Sequence, residues 1–323
     1  MKLVTTQNLP ADFLAELGKA GIHVTYAADE PALLQEIVDA DALVGGFGGG
    51  DGGRFQRALQ AARQLRWVHT SSAGVDPLLC PELAATGAAL TCAKGEVVGS
   101  LLAEHAFALL LALSRGVAWS ARQQSWNRSG LGGRAAYEIR GSRMGIVGYG
   151  GTGVALAQRA AAFGMTIIAV KRTAPGTRVP PPPLEALWGL DRLDDLLGLA
   201  DVVVSTVPGT ADSRGQFNAA RFRRMKPTAL FINVGRGDTV VTGDLVQALQ
   251  NGWIAGAGLD VTDPEPLPAE SPLWQMENVV VSPHIAGNSP QRGARNLRLI
   301  RENAARLLAG QALVGVVDTG AGY

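Results

Sequence analysis

A chain of 323 residues, 47% hydrophobic and 18% charged, has the length for two domains and ample core, and a formal net charge of +1 gives no electrostatic case for nucleic acid. No run of like charge makes a binding tail, and no uninterrupted apolar run approaches bilayer-spanning length. The only two cysteines, Cys80 and Cys92, form no Cys-x-x-Cys pair and lack nearby histidines at ligand spacing; they read as buried or free thiols in a reducing cytoplasm, with no metal site expected.

The N-terminus begins at once with a strand-like segment rather than a basic start and apolar core, so a cytoplasmic location is expected. Residues 3–6, 22–26, 42–44, 67–70 and 89–91 read as strands, separated by helices over 11–20, 31–38 and 54–65. That alternation predicts a small parallel α/β domain. Gly48, Gly50 and Gly53 match G-x-G-x-x-G there, but the following helix is short and no group suited to a ribose stands after 67–70. The segment reads as a loop, with Phe47 a candidate to face a ligand.

Ser71 to Asp76 is a small-residue turn whose successive N–H groups can hold a carboxylate; a plain strand-to-helix turn capped by Asp76 is the alternative. Residues 96–115 predict a long helix, apolar all round and therefore buried, in which His105 reads as a satisfied interior histidine. Residues 119–140 are mixed, with Trp126 and clustered glycines, and are expected to wrap over a neighbouring surface.

The stretch from 143 to 173 is the most informative. An apolar strand over 144–147 leads into Gly148-x-Gly150-x-x-Gly153, then a helix over 154–163 and a strand over 165–170. The first glycine of such a βαβ unit permits the tight turn, the second lets backbone approach a pyrophosphate, and the third lets helix lie close on strand. Helix N-terminal donors then face the phosphates. An NAD site carries an acidic residue about 20 residues on, to bind the ribose hydroxyls. Here Lys171, Arg172 and Thr173 stand instead, which suits a 2′-phosphate and predicts NADPH over NADH; solvated strand-end charges are the alternative.

Residues 176–183, ending in four consecutive prolines, can only be a loop or an extended segment. A helix over 193–199 follows, then apolar strands over 201–208, 229–234, 255–261 and 279–282. Ligands bind beyond the carboxyl ends of an open parallel sheet, and Arg236, Glu265 and His284 each fall just after one of these strands. They can therefore converge although far apart in sequence.

Gly148-x-Gly150-x-x-Gly153, the Asn233 to Gly237 run, Leu259-Asp260-Val261 with Asp263 to Pro266, and Ser282 to Gly287 resemble the signatures of the D-isomer-specific 2-hydroxyacid dehydrogenases. Ser72 to Asp76 and Ala103-Glu104-His105 also resemble family motifs, so the likeness covers nearly the whole chain. The resemblance implies two doubly wound parallel-sheet α/β lobes, a Rossmann dinucleotide-binding domain (96–287) inserted in a flavodoxin-like substrate domain (1–95 plus 288–323), with the site in the cleft. It also implies a homodimer.

Carried over residue by residue, Arg236 would hold the substrate carboxylate and carbonyl oxygen, and His284 would be the acid in ketone reduction with Glu265 its partner. Gly148, Tyr149, Gly150, Gly151, Thr152 and Gly153 would bind the pyrophosphate; Val207 and Pro208 would border the adenine, while Val234 would contact the cofactor and Asp260 lie near the nicotinamide. Ser72, Ala73, Gly74 and Val75 would receive the substrate carboxylate, with Phe47 and Trp274 as further pocket candidates. The implied function is NADPH-dependent reduction of a small 2-keto acid such as glyoxylate or hydroxypyruvate to the D-2-hydroxy acid. The alternatives are a relative acting on D-3-phosphoglycerate, D-lactate, formate or phosphite, and a non-catalytic dinucleotide-sensing corepressor.

Overall fold

The computed structural model describes residues 1–47, 52–126, 137–173 and 180–322. The chain divides into two units, Met1–Val98 with Ser289–Tyr323, and Gly99–Asn288. The first unit contains five parallel strands, β1 (Lys2–Thr5), β2 (His23–Tyr26), β3 (Ala42–Gly45), β4 (Trp67–Thr70) and β5 (Ala89–Cys92), in the order β2-β1-β3-β4-β5. This is the flavodoxin-like order, with its topological switch between β1 and β3.

Strand side chains alternate between the two faces of this sheet. Leu3, Ala42, Val44 and Trp67 pack with Phe13 and Leu17 of helix Ala11–Lys19 and with Ile300, Ala304 and Leu307 of helix Pro290–Leu308. Val4, Leu43, Val68 and Leu90 pack on the opposite face with Leu33, Ile37, Phe55, Leu59 and Leu83. A sheet buried on both faces explains why its strands read as short unbroken apolar runs. Phe47 belongs to this core: it is 1% exposed and its ring lies 4.8 Å from that of Phe55. It does not face a ligand, because burying a ring beside another ring outweighs leaving it in a polar loop. Gly48 and Gly50 of the first glycine-rich loop lie outside the described residues.

The second unit contains seven parallel strands: β6 (Arg143–Val147), β7 (Thr166–Lys171), β8 (Ala186–Gly189), β9 (Val202–Ser205), β10 (Leu230–Asn233), β11 (Gly256–Leu259) and β12 (Val279–Val281). Their order, β12-β11-β10-β9-β6-β7-β8, is that of a Rossmann sheet, switching between β6 and β9. Helices Gly99–Ser114 and Gly151–Ala162 cover one face, against Met144, Ile146, Val204 and Ile232. Phe217, Phe222 and helices Leu193–Leu199 and Thr242–Gln250 cover the other. The approach of the long helix is close enough that a Cβ on Gly258 would stand 2.9 Å from Leu109 Cβ, so β11 must present glycine there. Among the described residues no helix is long and apolar enough to cross a membrane.

Candidate active site

Strand register brings the carboxyl ends of this sheet into line. Val147 pairs with Ser205, Ser205 with Asn233, Asn233 with Leu259, and Leu259 with Val281. Val207 and Pro208, Arg236, Asp260 and Glu265, and His284 therefore follow the ends of β9, β10, β11 and β12 respectively, and β10, β11 and β12 are consecutive neighbours in the sheet.

The glycines at the end of β6 have the steric environment a dinucleotide requires. Gly148 has φ +99°, a conformation L side chains rarely adopt, and a Cβ there would meet Thr206 Oγ1 at 2.7 Å. A Cβ on Gly150 would meet nothing within 4 Å, so this N-cap glycine leaves open the space into which a pyrophosphate fits. A Cβ on Gly153 would stand 2.5 Å from the Gly148 carbonyl oxygen, so helix and strand could not pack as they do. Gly151 and Thr152 begin that helix, and Gly99 of the long helix lies against them: its Cβ would be 3.0 Å from Gly151 C. Tyr149 is partly buried, which raises its hydroxyl pKa. These residues fit a dinucleotide phosphate. Lys171 ends β7 opposite Gly189, and Arg172 and Thr173 follow it exposed.

Arg236 projects from a turn that is fixed on both sides. The buried Asn233 side chain accepts the Gly235 N–H at 3.0 Å and donates to the Arg236 carbonyl at 2.9 Å, which also accepts Thr239 Oγ1 at 2.7 Å. Backbone crowds the flanking glycines: a Cβ on Gly235 would stand 2.5 Å from the Val207 carbonyl oxygen, and one on Gly237 1.9 Å from that of Thr262. Only glycine permits these approaches, so the turns after β9, β10 and β11 interlock. Val234, 3% exposed, anchors the base of the turn through its N–H to the Ser205 carbonyl at 3.1 Å.

Beyond β12, His284 Nδ1 and Glu265 Oε1 stand 2.6 Å apart, with the side chains 50% and 40% exposed. The ring is thus oriented by a carboxylate while remaining accessible. His284 is the one described non-glycine residue at positive φ, +53°. Such backbone persists where surroundings over-determine it, and here they do. The His284 N–H is shared between the carbonyls of Asp260 at 2.9 Å and Ser282 at 3.0 Å. The Asp260 carboxylate, 2% exposed, accepts the N–H of Ile285 at 3.0 Å and of Ala286 at 2.9 Å, and the Ser282 hydroxyl at 2.7 Å. With its only proton given to Asp260, Ser282 Oγ accepts from His105 Nε2 at 2.7 Å, and the same His105 nitrogen stands 3.2 Å from Asp260 Oδ1. Burial alone would raise the Asp260 carboxyl, but the bonds from His105, Ser282, Ala286 and Ile285 hold it below the usual carboxylate range. His105 is therefore a satisfied histidine of the long helix, as its sequence context indicates.

In the first unit, the turn after β4 presents donors. Arg292 supports the Ser71 carbonyl at 2.8 Å, and the Ser72 N–H is capped by Thr70 Oγ1 at 3.2 Å. The N–H groups of Ala73, Gly74 and Val75 have no acceptor among the described residues. Trp274, 43% exposed in the second unit, donates its indole N–H to the Pro268 carbonyl at 2.9 Å. Sequence reading assigned no task to Asn233, Ser282 or Gly99; their positions inside the motif runs and beside the glycine loop are the signals that could have found them.

A Rossmann sheet with a phosphate-compatible glycine turn, an accessible histidine-carboxylate pair and an arginine on the adjacent strand end define a dinucleotide-dependent oxidoreductase. Residues 107–286 match the family described as D-isomer specific 2-hydroxyacid dehydrogenase, NAD binding domain. The glyoxylate reductase of Thermococcus onnurineus is 36% identical over 309 residues, covering 91% of this chain and 88% of its own; that of Pyrococcus furiosus is 34% identical over 289, covering 86% and 82%. Among solved structures, an NADPH-dependent glyoxylate/hydroxypyruvate reductase of Sinorhizobium meliloti in complex with NADP and sulfate superposes with TM-score 0.77 at 29% identity, covering 100% of this chain and 99% of that one. A D-isomer specific 2-hydroxyacid dehydrogenase of Xanthobacter autotrophicus in complex with NADPH and MES gives TM-score 0.79 at 29% identity, covering 100% and 99%. The chain belongs to the D-isomer-specific 2-hydroxyacid dehydrogenases, oxidoreductases that use NAD(P), and its two parallel-sheet lobes are the fold its sequence predicts.

Proposed function

We propose that this protein uses NADPH to reduce a small 2-keto acid, of the glyoxylate or hydroxypyruvate kind, to the D-2-hydroxy acid. The observation that carries the reading is the 2.6 Å pairing of His284 with Glu265 at the end of β12, two strands from the turn that presents Arg236. The bound dinucleotide supplies the hydride. Arg236 binds the substrate carboxylate and the carbonyl oxygen, fixing the ketone and polarising it by charge. Glu265 keeps the imidazole Nδ1–H bonded and so orients the ring, and Nε2 delivers the proton to the forming alkoxide. In the reverse direction the same nitrogen is the base. In unit 1, the N–H groups of Ala73 to Val75 are donors of the kind that hold a carboxylate.

Gly148 to Gly153 cradle the pyrophosphate, Val207 and Pro208 border the adenine, Val234 and Asp260 bound the nicotinamide end, and Lys171, Arg172 and Thr173 take the 2′-phosphate. The NADP bound to the Sinorhizobium meliloti relative supports that cofactor. Unit 1 is the substrate domain and unit 2 the cofactor domain of a cytoplasmic homodimer in this reading. Assaying a panel of 2-keto acids with NADPH and with NADH tests it: turnover of glyoxylate or hydroxypyruvate with NADPH preferred is expected, and activity confined to NADH or to substrates without a 2-keto acid overturns it.

A further inference from the structure

The turn that carries Arg236 is held at both ends by one buried side chain. Asn233 is the last residue of β10, paired in register with Ser205 on one side and Leu259 on the other, and it is fully buried. Its Oδ1 accepts the Gly235 N–H at 3.0 Å and its Nδ2 donates to the Arg236 carbonyl at 2.9 Å. A backbone N–H can only donate and a carbonyl only accept, so these partners fix which end of the amide is which. An ionised carboxylate of the same shape could make the first bond and would repel the second partner.

Between the two held groups lies the Gly235–Arg236 peptide, whose carbonyl accepts the Arg236 Nη1–H at 2.9 Å. The guanidinium is thereby referenced to backbone, and the staple on either side of that carbonyl sets its direction. Gly235 brings no side chain of its own to hold the turn, since a Cβ there would stand 2.5 Å from the Val207 carbonyl oxygen. Thr239 Oγ1, 2.7 Å from the Arg236 carbonyl, supports the same end of the staple.

We propose that Asn233 is a positioning residue for Arg236: through the Gly235 carbonyl it sets the direction in which the guanidinium meets the substrate. All the protein groups concerned belong to the second unit. A planar fork matches a carboxylate over a narrow range of orientations, so a tilt of the turn weakens substrate binding and misplaces the ketone together. The inference rests on the reading of Arg236 as the substrate's anchor and adds the residue that aims it.

Steady-state kinetics with glyoxylate and hydroxypyruvate at saturating NADPH test it, in a double-mutant cycle of Asn233→Ala with Arg236→Lys. Lysine keeps the positive charge but has no fork to aim. Alone, Asn233→Ala should lower kcat/KM by roughly tenfold or more, chiefly through KM, with NADPH affinity unchanged. In the Arg236→Lys background the same substitution should change kcat/KM by less than about twofold, whereas a merely structural loss would multiply through both backgrounds. Thr239→Val removes a donor to the same carbonyl and repeats the cycle with a smaller loss, so the comparison survives if Asn233→Ala does not fold. An equal factor in both backgrounds, or full activity in Asn233→Ala, overturns the inference and leaves the role of Arg236 intact. Equal efficiency of the parent and Arg236→Lys, or a parent that reduces neither acid, overturns the reading of Arg236 and the inference with it.

Discussion

Asp260 holds His284 by its backbone: the Asp260 carbonyl accepts the His284 N–H at 2.9 Å, and the Asp260 carboxylate accepts the N–H groups of Ile285 and Ala286. The left-handed conformation of the histidine is thus imposed from β11, the neighbouring strand's end, and not by the residue's own preference. Glu265 then fixes the ring and Asp260 fixes what carries it.

Weakening that clamp should damage turnover before stability. Asp260→Asn replaces an acceptor of four bonds with a group that accepts on one atom only, and a displacement of the ring of about 1 Å costs on the order of a hundredfold in rate. Ser282→Ala, which breaks the link to His105, should cost less, about tenfold. The check is kcat and KM alongside the thermal midpoint: kcat falls, KM changes little, and Ser282→Thr restores activity. A fall in midpoint with kcat intact would assign Asp260 a structural role alone.

Removing the carboxylate from the pair should lower the rate. Glu265→Gln keeps an amide oxygen to accept from Nδ1 but replaces the charge-assisted bond that orients the ring with a weaker neutral one, so kcat/KM for ketone reduction should drop roughly 10- to 100-fold with NADPH affinity retained. An unchanged kcat/KM would separate Glu265 from the histidine's task.

Cofactor choice is tested at the end of β7. Lys171→Ala and Arg172→Ala should each raise KM for NADPH, by roughly tenfold, with NADH efficiency little affected, since charge-assisted bonds to a 2′-phosphate are lost and the diol never had them. Equal losses with both cofactors would place phosphate discrimination elsewhere.

The buried His69 predicts acid sensitivity. Its folded pKa, about 4, lies below the ordinary 6.5, so the unfolded chain binds the extra proton first. Stability is full above pH 6.5 and declines as pH falls from there towards 4, by on the order of 3 kcal/mol over that window. His69→Gln should lower the midpoint at pH 7 but flatten this part of the pH dependence. Parallel curves for parent and variant would contradict the assignment.

Much of the fold is legible in the sequence because apolar runs, glycines and prolines carry it. The strands over 42–44 and 67–70 appear where expected, as β3 and β4, and the βαβ unit around Gly148 forms as its spacing predicts. The edge strand β8 was not anticipated: Ala186-Leu187-Trp188-Gly189 has no β-branched residue and follows four prolines, and its pairing with β7 alone makes it a strand. Helix Pro81–Thr86 escaped for a related reason, being too short to show a period. At the site, Glu265 and His284 could be placed at strand ends, and their contact follows from the register of β11 on β12. What the sequence does not display is support through the fold: Asn233 stapling the Arg236 turn, and His105, 177 residues from Ser282, bracing it across the sheet. Phe47 illustrates the converse, since a lone aromatic beside a glycine loop gives no sign of the Phe55 ring that buries it.

The most direct measurement is 2-keto-acid-dependent oxidation of NADPH by the parent protein and by His284→Ala, with NADPH affinity titrated in both. The parent should consume NADPH when glyoxylate or hydroxypyruvate is added, and the variant should bind NADPH as tightly while its turnover falls by roughly 100-fold or more. Equal turnover in the two proteins, or no ketone-dependent oxidation in the parent, would contradict the account.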